Sequence, residues 1–234
     1  MKLVKRLMDC IKSEDSYGHL TDMDNSGELE EILPIVKRMK TVGECKYHVT
    51  NCFEHSLLAL KLFEEITKDE AFLEEHIKNN VLDVLKKDLD NEITKKELIK
   101  LGILLHDMGK PLAQTIDDNG RIHFKKHEII GANEIFKIGN LLGLSEKNTN
   151  LLYKYVRYHM TLLEIYRYNN MSRENLFDIF DKLKDESIDI FIIGYADIVS
   201  TRKLIKPKED TGVIRSYMTY GITNYIYRYD RNEV

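Results

Sequence analysis

The stretch "LGILLHDMGKP", residues 101–111, decides the reading of both fold and chemistry. An apolar run delivers His106 and Asp107 side by side and stops at Gly109 and Pro111. Neighbours on a helix diverge by about 100°, so two adjacent side chains face one point only where the helix ends or bends. Gly109 and Pro111 supply that ending. Two metal-capable ligands at the end of an apolar helix direct attention to where further ligands fall.

Other helix-like segments each place one candidate on an otherwise apolar face. His55, in "CFEHSLLAL", has Cys52, Leu58, Ala59 and Leu62 as helical neighbours, so its ring is expected to point inward. His159, in "LLYKYVRYHM", shares a face with Leu152, Tyr155 and Val156. Asp197, in "IFIIGYADIVS", lies on a helix that is apolar almost all round from Ile188 to Val199. His127, in "FKKHEIIGA", opens a further helix, where it reads equally as an exposed first-turn residue. Any one of these histidines alone is a core imidazole bonded to backbone. Taken together they favour a divalent cation, because burying imidazoles and carboxylates among aliphatic side chains costs several kcal/mol unless each finds a partner.

Apolar residues recur at helical spacing in roughly eight to ten segments, and the fold class expected is all-α, a single domain over 1–234. One exception is "TIDDNGRIHF", where Asn119-Gly120 between Ile116 and Ile122/Phe124 predicts a small β-hairpin just after the His106-Asp107 corner. Residues 68–97 are heavily charged and read as one exposed amphipathic helix and a loop outside the central core. His76 in that stretch and His123 in the hairpin are expected not to be ligands.

Composition limits the function. The chain has 35 basic and 39 acidic residues, a net charge of -4, so no global attraction to nucleic acid is present. Cys10, Cys45 and Cys52 are odd in number and form no C-x-x-C pair, which excludes a disulfide framework and a cysteine zinc site and suits a reducing compartment. The N-terminus lacks the apolar core and cleavage site of a secretory signal, and "IDIFIIGYADIV" is too short to span a bilayer, so a cytoplasmic protein without membrane partners is expected. The C-terminal "TGVIRSYMTYGITNYIYRYDRNEV" interleaves Tyr217, Tyr220, Tyr225, Tyr227 and Tyr229 with Arg215, Arg228 and Arg231. Such a pattern can bind single-stranded nucleic acid, but Ile214, Met218, Gly221 and Ile222 follow helical spacing and favour a packing helix.

The order His55, His106-Asp107, His127, His159, Asp197 resembles the ligand pattern of the HD-domain metal-dependent phosphohydrolases. Its setting, over about residues 24–200, is similar to the HD region that follows the catalytic head in bacterial tRNA nucleotidyltransferases; "LLHDMGKPLAQTIDDNGRIHFKKHEIIGA" carries the likeness most specifically. No Gly-rich nucleotide motif with paired aspartates is present, so the nucleotide-adding activity is not carried over. Neither the Gly-Tyr-Pro signature of the cyclic-dinucleotide hydrolases nor the acidic pair of the alarmone hydrolases is found. The resemblance implies that His55, His106, Asp107 and Asp197 hold one ion, with His127 and His159 adding ligands for a second bridged by Asp107.

A nitrogen and oxygen ligand set without thiolate suits manganese, iron, cobalt, nickel or zinc, with magnesium allowed and calcium unusual. The implied reaction is hydrolysis of a phosphomonoester or phosphodiester by metal-activated water, with a nucleotide, a cyclic phosphate, an RNA end or another phosphorylated small molecule as substrate. Asp107 is its central ligand. Lys110, one turn past the corner, would neutralise phosphoryl charge or else is a solvated lysine at a helix end. Lys126 (with Lys125) and Arg157 would steer an anionic substrate or else are surface charges. The competing reading is a non-catalytic, metal-stabilised RNA- or nucleotide-binding module.

Overall fold

The computed structural model describes residues 2–42, 50–69, 71–206 and 208–229. Cys45, Arg231 and the segment 43–49 of the family-like stretch lie outside them. Four helices form an N-terminal layer: α1 (Lys2–Lys12), α2 (Ser16–Asn25), α3 (Glu28–Ile32) and α4 (Ile35–Met39). Their inward residues, such as Leu7, Ile11, Leu20 and Met23, are fully buried. They recur at three- and four-residue intervals, the stripe that an amphipathic helix lays against a core.

Helix α5 (Cys52–Lys68) opens on Asn51, whose side-chain oxygen accepts the Glu54 N–H. Near its other end the buried Glu64 carboxylate accepts the Ser16 N–H at 2.8 Å and the Tyr17 N–H at 3.2 Å, with Lys100 Nζ at 3.1 Å. This carboxylate fixes the N-terminal layer to the core, and its three donors offset the cost of removing it from water.

The charged stretch 68–97 departs from expectation. It contains α6 (Glu75–Lys86), whose Ile77, Val81 and Leu85 are buried in the common core. Next comes a second ribbon, β1 (Asp88–Leu89) antiparallel to β2 (Ile93–Thr94), where a loop was expected. Three apolar residues at four-residue intervals are enough to dock a helix, although they hardly register among so many charges.

Thr94 then starts α7 (Lys95–Leu105) with a reciprocal cap: its hydroxyl accepts the Glu97 N–H, and the Glu97 carboxylate accepts the Thr94 N–H. Helix α8 (Lys110–Ala113) follows, with Pro111 in its first turn. The expected hairpin is present as β3 (Thr115–Ile116) paired antiparallel with β4 (Ile122–His123). Gly120 has φ of 74° in its turn.

The remainder is helical: α9 (His127–Leu142), α10 (Glu146–Tyr158), α11 (Thr161–Tyr168), α12 (Arg173–Leu183), α13 (Ser187–Ile205) and α14 (Gly212–Tyr229). Helix α13 is buried almost all round and packs against α5, α11 and α14; α10 packs against α9 and α7. Helix α14 buries Ile214, Met218, Gly221 and Ile222 and leaves Tyr220 and Tyr227 exposed, so it is a packing helix.

The fourteen helices among the described residues exceed the eight to ten expected. Helices such as α3, α4 and α8 hold only one turn each and cannot display a period. The architecture is all-α, with two small ribbons, and no described helix is long and apolar enough to cross a membrane.

Candidate metal centre

Five side chains from four helix ends and one from a mid-helix position converge on one point. His55 lies in the first turn of α5, His106 and Asp107 in the turn that closes α7, and His127 is the first residue of α9. His159 caps the C-terminus of α10, and Asp197 projects from α13. Close backbone approach at two glycines makes this possible. A Cβ on Gly109 would stand 2.0 Å from the His127 carbonyl oxygen, so only glycine lets the Asp107 turn rest on the start of α9. A Cβ added at Gly194 would stand 2.7 Å from Leu162 Cβ and 3.2 Å from the His159 carbonyl oxygen, so the glycine lets α13 with Asp197 come up to the His159 corner.

The second ring nitrogens fix the direction of each imidazole. His106 Nδ1–H donates to the Ile103 carbonyl at 2.7 Å, His127 Nδ1–H to Phe124 at 2.9 Å and His159 Nδ1–H to Val156 at 2.8 Å. Backbone carbonyls only accept, so the proton is on Nδ1 in each case. His55 Nδ1 faces the hydroxyls of Thr201 at 3.2 Å and Ser200 at 3.5 Å, both of which donate to the Asp197 carbonyl and are free to accept from His55. All four Nε2 lone pairs therefore point inward, the arrangement in which an imidazole ligates a metal while its other nitrogen holds the ring in place.

The inward atoms fall into two groups that share Asp107. In the first, His55 Nε2 is 2.8 Å from Asp197 Oδ1 and 3.3 Å from His106 Nε2, while Asp107 Oδ2 is 3.3 Å from His106 and 3.7 Å from His55. In the second, Asp107 Oδ1 is 3.2 Å from His127 Nε2 and 3.8 Å from His159 Nε2, which are 3.3 Å apart. Paired lone pairs at 3.3 Å repel unless a proton or a metal ion lies between them. Donors bound to one ion at about 2.0–2.2 Å stand roughly 2.8–3.8 Å apart when their angle is between 90° and 120°. The side chains thus fit a divalent ion in each group, and they form three overlapping His/Asp triads that could hold one, His106–His159–Asp197 linking the two groups.

Charge favours a cation here. Burial alone would raise both carboxyls, but Lys110 and His106 beside Asp107, and His106 and His55 beside Asp197, hold them well below the usual carboxylate range. Burial pushes His106 down, yet Asp107 and Asp197 outweigh it and raise the imidazole to about 10. His159 is driven down to about 3 by burial and by the neighbouring His106 and His127. The carboxylates thus draw positive charge to the Asp107/Asp197 side, as a proton on His106 Nε2 or as a metal ion that displaces it, while His159 stays neutral.

The centre forms the floor of a cleft of about 620 Å³. Lys110 is buried at its edge, with Nζ 2.6 Å from Asp107 Oδ2 and 6.0 Å from the centre of the Phe124 ring, so it is no solvated helix-end lysine. Lys126 and Arg157 lie outside the cleft lining. Lys126, at φ of 62°, is exposed before α9, and Arg157 faces Glu128 at 3.8 Å and lies 5.2 Å over the Tyr158 ring. The cations that do line the cleft beyond Lys110 are Arg167, Arg202 and Lys206, which were not singled out in the sequence. Their signal was faint: Thr201, Arg202 and Ile205 follow Asp197 at four, five and eight residues, one face of a helix. His123 pairs with Asp117 at 2.9 Å and His76 with Thr223, both away from the centre.

A family model for the HD domain matches residues 52–201, well over half of the 234 residues. The match opens at the residue that begins α5 and closes four residues beyond Asp197, so it encloses all six inward-facing side chains. On that match the chain belongs to the HD-domain family.

Proposed function

We propose that this chain is a metal-dependent phosphohydrolase that cleaves a phosphomonoester or phosphodiester of a nucleotide, a cyclic phosphate or an RNA end. The observation that carries this reading is the pair of inward Nε2 sets joined through the two oxygens of Asp107, at the floor of a cleft with cations on its walls. His55, His106, Asp107 and Asp197 would hold one ion, and Asp107, His127 and His159 a second, with manganese, iron, cobalt, nickel or zinc suited to the donor set and magnesium allowed. Bound ions of this kind supply Lewis acidity and bring the pKa of a bound water toward neutrality.

The protein's own groups do the rest. Lys110, pinned by Asp107, holds an ammonium beside the phosphoryl oxygens and offsets charge that grows on them during in-line displacement. The Nδ1–H bonds of the four histidines keep the ligands aimed, so no reorganisation is needed when substrate arrives. Phe124, Met160, Leu163 and Ile198 line the cleft and keep bulk water from the anion.

The likeness to the HD region of tRNA nucleotidyltransferases supports a nucleotide or RNA end as substrate. A screen of phosphomonoesters and phosphodiesters across nucleotides with several divalent ions tests the reading against the Asp107→Ala protein. Turnover in the parent and loss by at least a hundredfold in the variant, with helical content kept, is expected. Undiminished turnover in the variant excludes Asp107 as the central ligand. Metal and nucleotide binding without phosphate release would instead identify a binding module.

A further inference from the structure

We infer that the end of the cleft far from the metal ligands is a subsite for a second anionic group, so that the substrate is a phosphoester carrying another phosphate or equivalent anion across a mainly apolar spacer. The inference rests on the proposed hydrolytic reading, which places the cleaved phosphate against Asp107 and Lys110. Arg167 from α11 and Arg202 and Lys206 from the end of α13 line this far end, and Glu209 is the carboxylate lining it there. Three cations against one carboxylate leave an excess of two positive charges in a concave, partly apolar setting, which concentrates anions.

The arrangement is oriented, beyond a merely basic surface. The Arg202 guanidinium lies 5.2 Å over the Tyr166 ring, with Nη1 2.7 Å from Glu209 Oε1. Ring and carboxylate together hold the planar fork with its remaining N–H groups available to bind an anion. Arg167 and Lys206 are exposed and form no ion pair with a described residue. Arg202 follows Asp197 by five residues on α13 and Lys206, nine residues on, is the residue that caps it, which at 1.5 Å per residue puts their backbones about 8 and 14 Å along the axis from Asp197. Met160, Leu163, Tyr166 and Ile205 give the same cleft its apolar lining. A substrate with a single phosphate would engage the metal end and leave this charge unanswered, whereas a two-anion substrate of matching span answers both ends.

The test uses non-hydrolysable rulers. Binding of hexylphosphonate and hexane-1,6-diphosphonate to the full chain with Mn²⁺ is measured by calorimetry, with butane- and decane-diphosphonates as span controls. The diphosphonate of matching span is expected to bind at least about tenfold more tightly than the monophosphonate, as one or two charge-assisted hydrogen bonds would give. The Arg167→Gln/Lys206→Gln double variant, altered at two exposed positions and checked for unchanged thermal unfolding, is expected to lose about tenfold of that preference. Equal binding of the two ligands by the parent protein, or a preference that survives in the variant, overturns the subsite. Hydrolysis of hexyl phosphate and hexane-1,6-diol bisphosphate is assayed in parallel. Absence of turnover for both, with the diphosphonate preference intact, upholds the subsite and overturns the hydrolase reading.

Discussion

Replacing Gly109 with alanine tests how the ligand corner is assembled. The new Cβ would stand 2.0 Å from the His127 carbonyl oxygen and 2.6 Å from the Gly131 nitrogen, against the 3.0 Å below which Cβ atoms do not pack. Both obstacles are backbone, so α9 must retreat from the Asp107 turn by about 1 Å, and overpacking of this kind costs about 1–3 kcal/mol. For a chain of this length that lowers the midpoint of thermal unfolding by roughly 3–10 °C. The retreat also acts on the ligands, because it widens the 3.2 Å gap between His127 Nε2 and Asp107 Oδ1 until one ion no longer reaches both at normal bond length. Metal affinity should fall by about 10–100-fold, the range seen when the support of a ligand is lost. Gly120→Ala is the control: its φ of 74° makes alanine cost about 1 kcal/mol, but nothing lies within 4 Å of its Cβ and the centre should be unaffected. Thermal unfolding and Mn²⁺ or Zn²⁺ titration of both variants decide the matter. A Gly109→Ala protein with parental stability and metal affinity would refute the account of how α9 meets the corner.

Two further predictions concern buried charge away from the centre. Glu64→Ala leaves the Lys100 ammonium, 1% exposed, without its carboxylate and two N–H groups of α2 without an acceptor, and should cost about 3–5 kcal/mol in urea unfolding; a loss under about 1 kcal/mol would contradict the role given to Glu64. Asp189, wholly buried against Lys95 and the Tyr155 hydroxyl, has its carboxyl raised by burial to about 6 from 3.8. Its folded pKa exceeds its unfolded one, so the ionised form costs stability at neutral pH and that cost is relieved as pH falls through 6 toward 3.8. The stability of the parent relative to Asp189→Asn should accordingly improve by about 2 kcal/mol between pH 7 and pH 4, and a gap that is flat or moves the other way would contradict it.

Much of the centre was legible because its residues violate the expectations of their setting. A His-Asp pair at the end of an apolar helix, and Asp197 on a helix without a polar face, demand partners, and the demand itself points to the site. The hairpin followed from Asn119-Gly120 for a similarly local reason. The cleft was less legible because adjacency in sequence is a poor guide to direction. Arg157 is two residues before His159, about 200° around the helix, and so faces Glu128; Lys126 precedes His127 but leaves in a left-handed turn. Arg167, two helical turns beyond the His159 corner on another helix, faces the cleft instead. The buried pairs Glu64–Lys100 and Asp189–Lys95 look like surface charge in the sequence, since only tertiary packing reveals which carboxylates lose water. The imidazole orientations depend on carbonyls three residues back, available only because each chain segment turns where it does.

The most direct test of the metal cage is anomalous X-ray scattering from crystals of protein purified with Mn²⁺ or Zn²⁺. The account predicts density from the ion among His55, His106, Asp107 and Asp197, and a second peak among Asp107, His127 and His159, each with ligand bonds of about 2.0–2.2 Å. Crystals that carry no anomalous peak at these six side chains after metal supplementation, or carry one elsewhere, would contradict it.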